Sequence, residues 1–363
     1  MENYFTIFCY QCRAFKNQTI SLVMNILIVD WKLENEFFLE NELRQKNIEY
    51  KIFGIPNYTI EDRKSKIGSL KLYFKYFKLA YTAIKNSEKN DVIICWNFTT
   101  SLACGYLCRI LHKRRIILAL NIIAHQVGKL KEIARKIFFS PVVSMKRYFL
   151  TVNSSIYINS YSERFNISTE KFFVLNDAIH THEDTLQNTD EGYVFTGGEA
   201  QRDWDTFFST CNKLPEINFV CIARKKNYDQ TLITPKNVKL LFDTDQDIFN
   251  EYMKKSRMVV LPLKSRLPCG LIILLQAAMM KKPIIATQTP SIENYITNGE
   301  NGYLVELGNS DDLAEKIKDL YFNEELQFRF TTQLFEFVHK NHSPKQYTKN
   351  LLEIIAAIKL NVK

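Results

Sequence analysis

Glycine is scarce in this chain, at 11 of 363 residues. Four glycines (Gly54, Gly68, Gly105 and Gly128) precede residue 191 and seven follow it. Long apolar runs are missing too. The longest, at 116–124 and 270–280, are broken by Asn121 and Gln276. A membrane-spanning helix needs about 18 apolar residues or more, so an integral membrane protein is excluded. The N-terminus has neither a basic start nor a small-residue cleavage site, which argues against a secretion signal. Charged residues make up 24% and hydrophobic residues 46%, a balance that excludes a disordered chain. The eight cysteines sit mostly inside apolar stretches and read as free thiols of a reducing compartment. Cys9-x-x-Cys12 has half a zinc spacing. The other candidates, Cys104, Cys108 and His112, fall on a helical pattern without knuckle spacing, so no zinc site is expected.

What is present is uneven. The chain carries a formal charge of +9. Residues 1–190 hold 26 basic and 18 acidic groups, and residues 191–363 hold 22 and 21. The first half is basic and glycine-poor; the second is near neutral and holds the glycine turns. An excess of this size does not call for nucleic acid, and no zinc knuckle or groove-reading motif accompanies it.

A length of 363 residues suggests two domains. Residues 24–30 read as a buried parallel strand, so 1–23 is an extension. Strands and helices then alternate. Helices are expected at 34–45, 69–86, 101–112 and 129–139. Strands are expected at 50–55, 91–96, 115–120 and 171–175, with a further short strand and helix near 148–160. The polar, aperiodic stretch 180–191 reads as a linker. Alternation restarts at 193–196 and continues through helices at 204–212, 247–255 and 271–280, ending in a helical tail. The reading is α/β: an N-terminal domain over 24–179, a C-terminal domain over 192–335, and a C-terminal helix, 336–363, packing back on the first domain. Two doubly wound sheets bind ligands at the carboxyl ends of their strands, here across a cleft.

The most informative segment is 259–305. Gly270 stands before a helix, where free backbone N–H groups attract phosphate. Gln276 lies early in that helix and can bond a ribose or sugar hydroxyl. An ordinary strand-to-helix turn with a solvated Gln276 fits the same spacing. The segment 193–208 reads YVFTGGEAQRDWDTFF. Here Arg202 follows the Gly197–Gly198 turn and suits a diphosphate, because its fork pairs two phosphate oxygens. A surface pair with Asp203 is the alternative. Arg224, Lys225 and Lys226 end the next strand. Asp243, Asp245 and Asp247 read as helix capping and first-turn acids, not as metal ligands.

In this order the segments resemble the donor-binding signature of GT-B glycosyltransferases, the family-four retaining enzymes of group 1. Gly270, Leu271, Ala277, Pro283, Ile285, Ala286, Thr287, Glu293, Gly299, Asn301, Gly302, Leu304 and Val305 match it. The resemblance covers about residues 190–325, and the N-terminal half in layout only. It implies GT-B architecture, two Rossmann-like doubly wound domains facing across a cleft. It also implies transfer of a sugar from a nucleotide-diphosphate sugar to a glycan or lipid-linked acceptor with retention, in cell-surface polysaccharide or glycoconjugate synthesis. Arg202 would clamp the diphosphate, with Gly197, Gly198, Arg224 and the backbone of Cys269, Gly270, Leu271 and Ile272 beside it. Gln276 would meet the ribose. His125 would face the donor sugar, or else be a loop histidine bonded to backbone. No metal and no cofactor beyond the co-substrate is expected.

The family's two glutamates are replaced. One aligns with Gln276 and the other falls near Leu267 or Pro268. The first strand is followed by Asp30-Trp31-Lys32 instead of a glycine-rich turn. A non-catalytic GT-B protein binding nucleotide or glycan in an assembly is therefore the competing expectation. An epimerase would need an acid-base pair that the C-terminal loops do not supply.

Two helices of the basic half carry lysine stripes beside aromatic and aliphatic faces. Lys71, Lys75 and Lys78 share one stripe. Leu130, Ile133, Ala134, Ile137 and Phe138 lie opposite Lys129, Lys131, Arg135 and Lys136. Such faces dock on an anionic membrane surface or turn inward to the core. The expected location is cytoplasmic, peripheral on the inner face of the membrane.

Overall fold

The computed structural model describes residues 26–28, 38–55, 66–123, 128–179 and 190–362. The extension 1–23, Cys9 and Cys12, His125 and nearly all of the 180–191 stretch lie outside the described residues. The chain divides into two compact units, residues 1–175 with 347–363, and residues 176–346. The second crossing falls within the last helix, later than the residue 336 expected from sequence.

In the first unit the order is β1 (Ile26–Ile28), α1 (Phe38–Gln45), β2 (Lys51–Phe53), α2 (Lys66–Lys85), β3 (Val92–Cys95), α3 (Phe98–Ile110), β4 (Ile116–Ala119), α4 (Lys129–Val143), β5 (Tyr148–Val152), α5 (Ile156–Phe165) and β6 (Phe172–Val174). The six strands are parallel, in the order β2-β1-β3-β4-β5-β6. Val92–Cys95 and Ile116–Ala119 are buried throughout, as continuous apolar strands of a two-sided sheet must be. α4 runs further than the sequence pattern predicts, through Pro141 to Val143.

The second unit contains β7 (Tyr193–Gly198), α6 (Trp204–Lys213), β8 (Asn218–Ala223), β9 (Val238–Phe242), α7 (Gln246–Lys255), β10 (Met258–Leu261), α8 (Leu271–Met279), β11 (Ile284–Thr287), β12 (Tyr303–Val305), α9 (Ser310–Phe322) and α10 (Glu324–Asn341). α11 (Pro344–Asn361) carries the chain back to the first unit. Its strands are parallel in the order β12-β11-β10-β7-β8-β9. Neighbouring strand residues go to opposite cores. Phe195, Val259 and Leu261 join one apolar cluster, while Val194, Met258 and Val260 join the other. Period-two side-chain direction thus builds a three-layer domain. Strand order reverses between β7 and β10, and ligands bind such sheets outside the carboxyl ends of strands at that reversal.

Candidate functional site

The two loops leaving the reversal point are tied together by backbone. The Asp203 N–H donates to the Pro262 carbonyl at 3.0 Å, and the Lys264 N–H donates to the Gln201 carbonyl at 2.9 Å. Arg202 and Leu263 form an antiparallel bridge between them. The Leu263 N–H donates to Thr287 Oγ1 at 2.9 Å, which anchors the second loop to β11. A loop joined to two strands holds its side chains in place with little entropy left to lose on binding.

Arg202 is the side chain this arrangement positions. It is only 5% exposed. Its Nε donates to the Gly197 carbonyl at 2.7 Å and its Nη1 to the Ala200 carbonyl at 2.9 Å. Burial brings its pKa down to about 10, so it stays charged at neutral pH. No carboxylate of the described residues forms an ion pair with it. The surface pair with Asp203 is not made. Asp203 instead caps α6, accepting from the Thr206 N–H at 3.1 Å. A buried, unpaired cation is costly, and an anion bound beside it would relieve that cost.

Two glycines make room for the guanidinium. A Cβ on Gly198, at φ +125°, would stand 2.6 Å from Arg202 Nη2. A Cβ on Gly270, at φ +81°, would stand 3.8 Å from Nη1. Arg202 therefore lies against both the end of β7 and the start of α8. Gly270 is the residue before that helix, and no side chain caps it. The first N–H to find an intrahelical acceptor is that of Leu274, on the Gly270 carbonyl at 3.0 Å. The N–H groups of Leu271, Ile272 and Ile273 are left without one. A fixed guanidinium beside free helix-start donors makes an anion site. Cys269 adjoins it; burial raises its thiol pKa, and the charge of Arg202 opposes that rise.

The structure thus brings together Gly197, Gly198, Arg202, Cys269, Gly270, Leu271 and Ile272. Gln276 is half-buried one turn on from the exposed Ile272, on the same stripe of α8, and its amide has no partner among the described residues. Arg224 follows β8, whose Ala223 pairs with Gly198, and its guanidinium is ion-paired. Its Nε pairs with Glu199 at 3.2 Å, and Asp243 lies 3.9 Å from its Nη1. Lys226 also reaches Glu199, at 3.8 Å. Glu199 and Thr287 are the contributors that sequence reasoning missed. Thr287 belongs to the matched signature, but its hydroxyl's hold on Leu263 has no sequence signal. Asp245 precedes α7 as expected, yet its side chain makes no capping bond.

Comparison with known proteins agrees with this geometry. Residues 194–323 match the family model of glycosyl transferases group 1. A Methanocaldococcus jannaschii protein described as an uncharacterized glycosyltransferase is 31% identical over 117 residues, which is 31% of this chain. The match spans only about a third, 33%, of that relative's length. Anabaena HepE, solved with UDP and glucose, superposes with a TM-score of 0.65 at 14% identity, covering 92% of this chain and 99% of its own. A Rickettsia africae glycosyltransferase gives 0.66 at 13%, covering 93% and 98%. The sucrose-phosphate synthase of Thermosynechococcus elongatus gives 0.66 at 13%, covering 90% and 96%. Fold and site define the class: the chain has the GT-B fold of two Rossmann-like units. Its segment 194–323 is similar to the group 1 glycosyl transferases.

Proposed function

We propose that the protein is a glycosyltransferase that moves a sugar from a nucleotide-diphosphate sugar to a glycan or lipid-linked acceptor, with retention of configuration, in cell-surface polysaccharide or glycoconjugate synthesis at the cytoplasmic face of a membrane. The observation that carries this reading is the buried, unpaired Arg202 against the start of α8. UDP and UDP-glucose in the Anabaena HepE structures support a nucleotide-sugar ligand for the same fold. In the reaction, negative charge grows on the departing diphosphate. Arg202 and the N–H groups of Leu271 and Ile272 would meet that charge without reorganising, which is the main source of electrostatic catalysis. No metal is called on in this reading. Gln276 would bond the ribose, and His125 would face the donor sugar. With no carboxylate of the described residues positioned as base, the leaving phosphate would take the acceptor's proton.

Calorimetry with UDP and GDP, paired with turnover on a panel of nucleotide sugars, tests the proposal. Arg202→Ala should lower turnover by ~10²-fold or more; an unchanged rate would remove Arg202 from the site. The replaced glutamates favour one second reading, a non-catalytic GT-B protein. Tight nucleotide binding with no transfer from any donor would establish it.

A further inference from the structure

Two exposed helix faces of this chain are opposite in charge and similar in pattern. The first is on α2. Leu72, Tyr76 and Leu79 supply its buried side. Its outer side carries Lys71, Lys78 and Lys85, seven residues apart and so in one row. Phe74 and Tyr81 stand beside that row, exposed to 70% and 51%. α2 contains no acidic residue.

The second face lies on α9 and the start of α10. Leu313, Ala314, Ile317 and Leu320 turn one side of α9 inward. Asp311, Glu315, Asp319 and Phe322 are left on the outside. Glu324 and Glu325 open α10 directly after. Residues 310–325 hold six acids and two lysines. Phe322 is 62% exposed, and Glu315, Lys318, Asp319, Asn323 and Glu324 line a shallow groove of about 700 Å³ with it. The acids have partners of their own: Lys213 reaches Asp311 at 2.6 Å, Lys316 reaches Glu315 at 3.5 Å, and the Tyr303 hydroxyl donates to Asp319 at 2.5 Å. Pairs this exposed hold little energy and leave the face acidic. Neither Phe74 nor Phe322 joins an apolar core cluster.

We propose that the two faces meet between copies of the chain, with α2 of one copy lying along α9 and the groove of the next. Charge and spacing select this occupant. Lys71 and Lys78 stand ~10 Å apart along their helix, and Asp311 and Asp319 ~12 Å apart along theirs. Lysines set against carboxylates steer the encounter and fix its register, while Phe74 enters the groove beside Phe322. A nucleic acid would be repelled by the acidic face, and a small cation would leave the rings uncovered. The two faces differ, so the contact is heterologous and either closes into a ring or continues as a chain. One helix seated on another buries less than a standard interface, so the association is weak and strongest at low salt. It is independent of the transferase reading and is measured without nucleotide.

Sedimentation velocity over a concentration series is the test. The parent should self-associate in ~0.01 M salt and separate in ~1 M, as the screening length falls from ~30 to ~3 Å. Lys71→Glu with Lys78→Glu should weaken association about 10-fold or more, and Glu315→Lys with Glu324→Lys should do the same. All four side chains are exposed, so both variants should melt like the parent. An equimolar mixture of the two variants should associate again, because each keeps the native face that the other lacks. A variant that had merely lost its fold would not be rescued in this way. A parent that stays monomeric at low salt would overturn the proposal. So would association abolished by one variant and untouched by the other, or a mixture that stays monomeric.

Discussion

The Nε of Arg202 donates to the carbonyl of Gly197 at 2.7 Å, so the arginine is fastened to the end of the strand from which its own loop departs. The bond consumes one edge of the guanidinium and leaves Nη2 directed past Gly198.

That geometry separates charge from shape. Arg202→Lys keeps the charge but loses the fork and the Gly197 bond. UDP affinity should fall by about 10-fold or more, in keeping with a lost charge-assisted contact. Calorimetry that returned the parent affinity would mean that a point charge suffices.

Gly198 is needed for its missing side chain. Gly198→Ala would place a Cβ 2.6 Å from Arg202 Nη2, at a φ of +125° that alanine avoids. The expected cost is about 1–3 kcal/mol in stability together with weaker nucleotide binding. Denaturant unfolding and a UDP titration on the same sample measure both, and a variant normal in both respects would contradict the packing.

Gln276 offers a gain-of-function test. The resemblance puts a glutamate there, and a carboxylate accepts from a ribose diol more strongly than an amide. Gln276→Glu should tighten UDP binding by about 3–10-fold. If affinity drops, the ribose does not sit on this stripe of α8.

Two buried bases give opposite ends of a pH profile. Lys282 is fully buried with Nζ donating to the Ser256 carbonyl at 2.7 Å, and burial brings its pKa down to about 8. The unfolded chain, with a lysine value of about 10.4, holds the extra proton between those limits, so stability should rise as pH climbs from about 8 to about 10.4. Lys282→Met should flatten that rise in denaturant unfolding; an unaltered slope would show that Lys282 titrates normally. His342 is buried against Tyr295, ring centroids 4.5 Å apart, with Nδ1 2.9 Å from the Asp177 carbonyl. Burial lowers its pKa below the ordinary 6.5, so stability should fall as pH drops below that value, and His342→Asn should remove part of the fall.

Much of this was legible beforehand. Apolar runs such as Val92–Cys95 and Ile284–Thr287 could only be buried parallel strands, and the helices between them could be placed within a few residues. Gly270 before an apolar helix marked the helix start against which Arg202 lies. Arg202 stood out as the basic residue after the first turn of the second half. The same reasoning grouped Arg224 with the site from its place at the end of the neighbouring strand, and gave no sign of its ion pair. Its partner, Glu199, lies 25 positions earlier, and only folding brings the two within 3.2 Å.

The scarcity and placement of glycine, the alternation of strand and helix, and the basic first half are properties of the sequence itself, since each follows from local residue chemistry. Tertiary structure decided three other matters. It buried Arg202 away from Asp203, because the bridge to Leu263 draws the loop inward. It gave Arg224 to Glu199. It also turned the apolar stripe of α4 to the outside, where Leu130, Ile133 and Ile137 are exposed. Periodicity shows that a helix has two faces, but which one meets the core depends on partners distant in the chain, here Arg164 on Glu132.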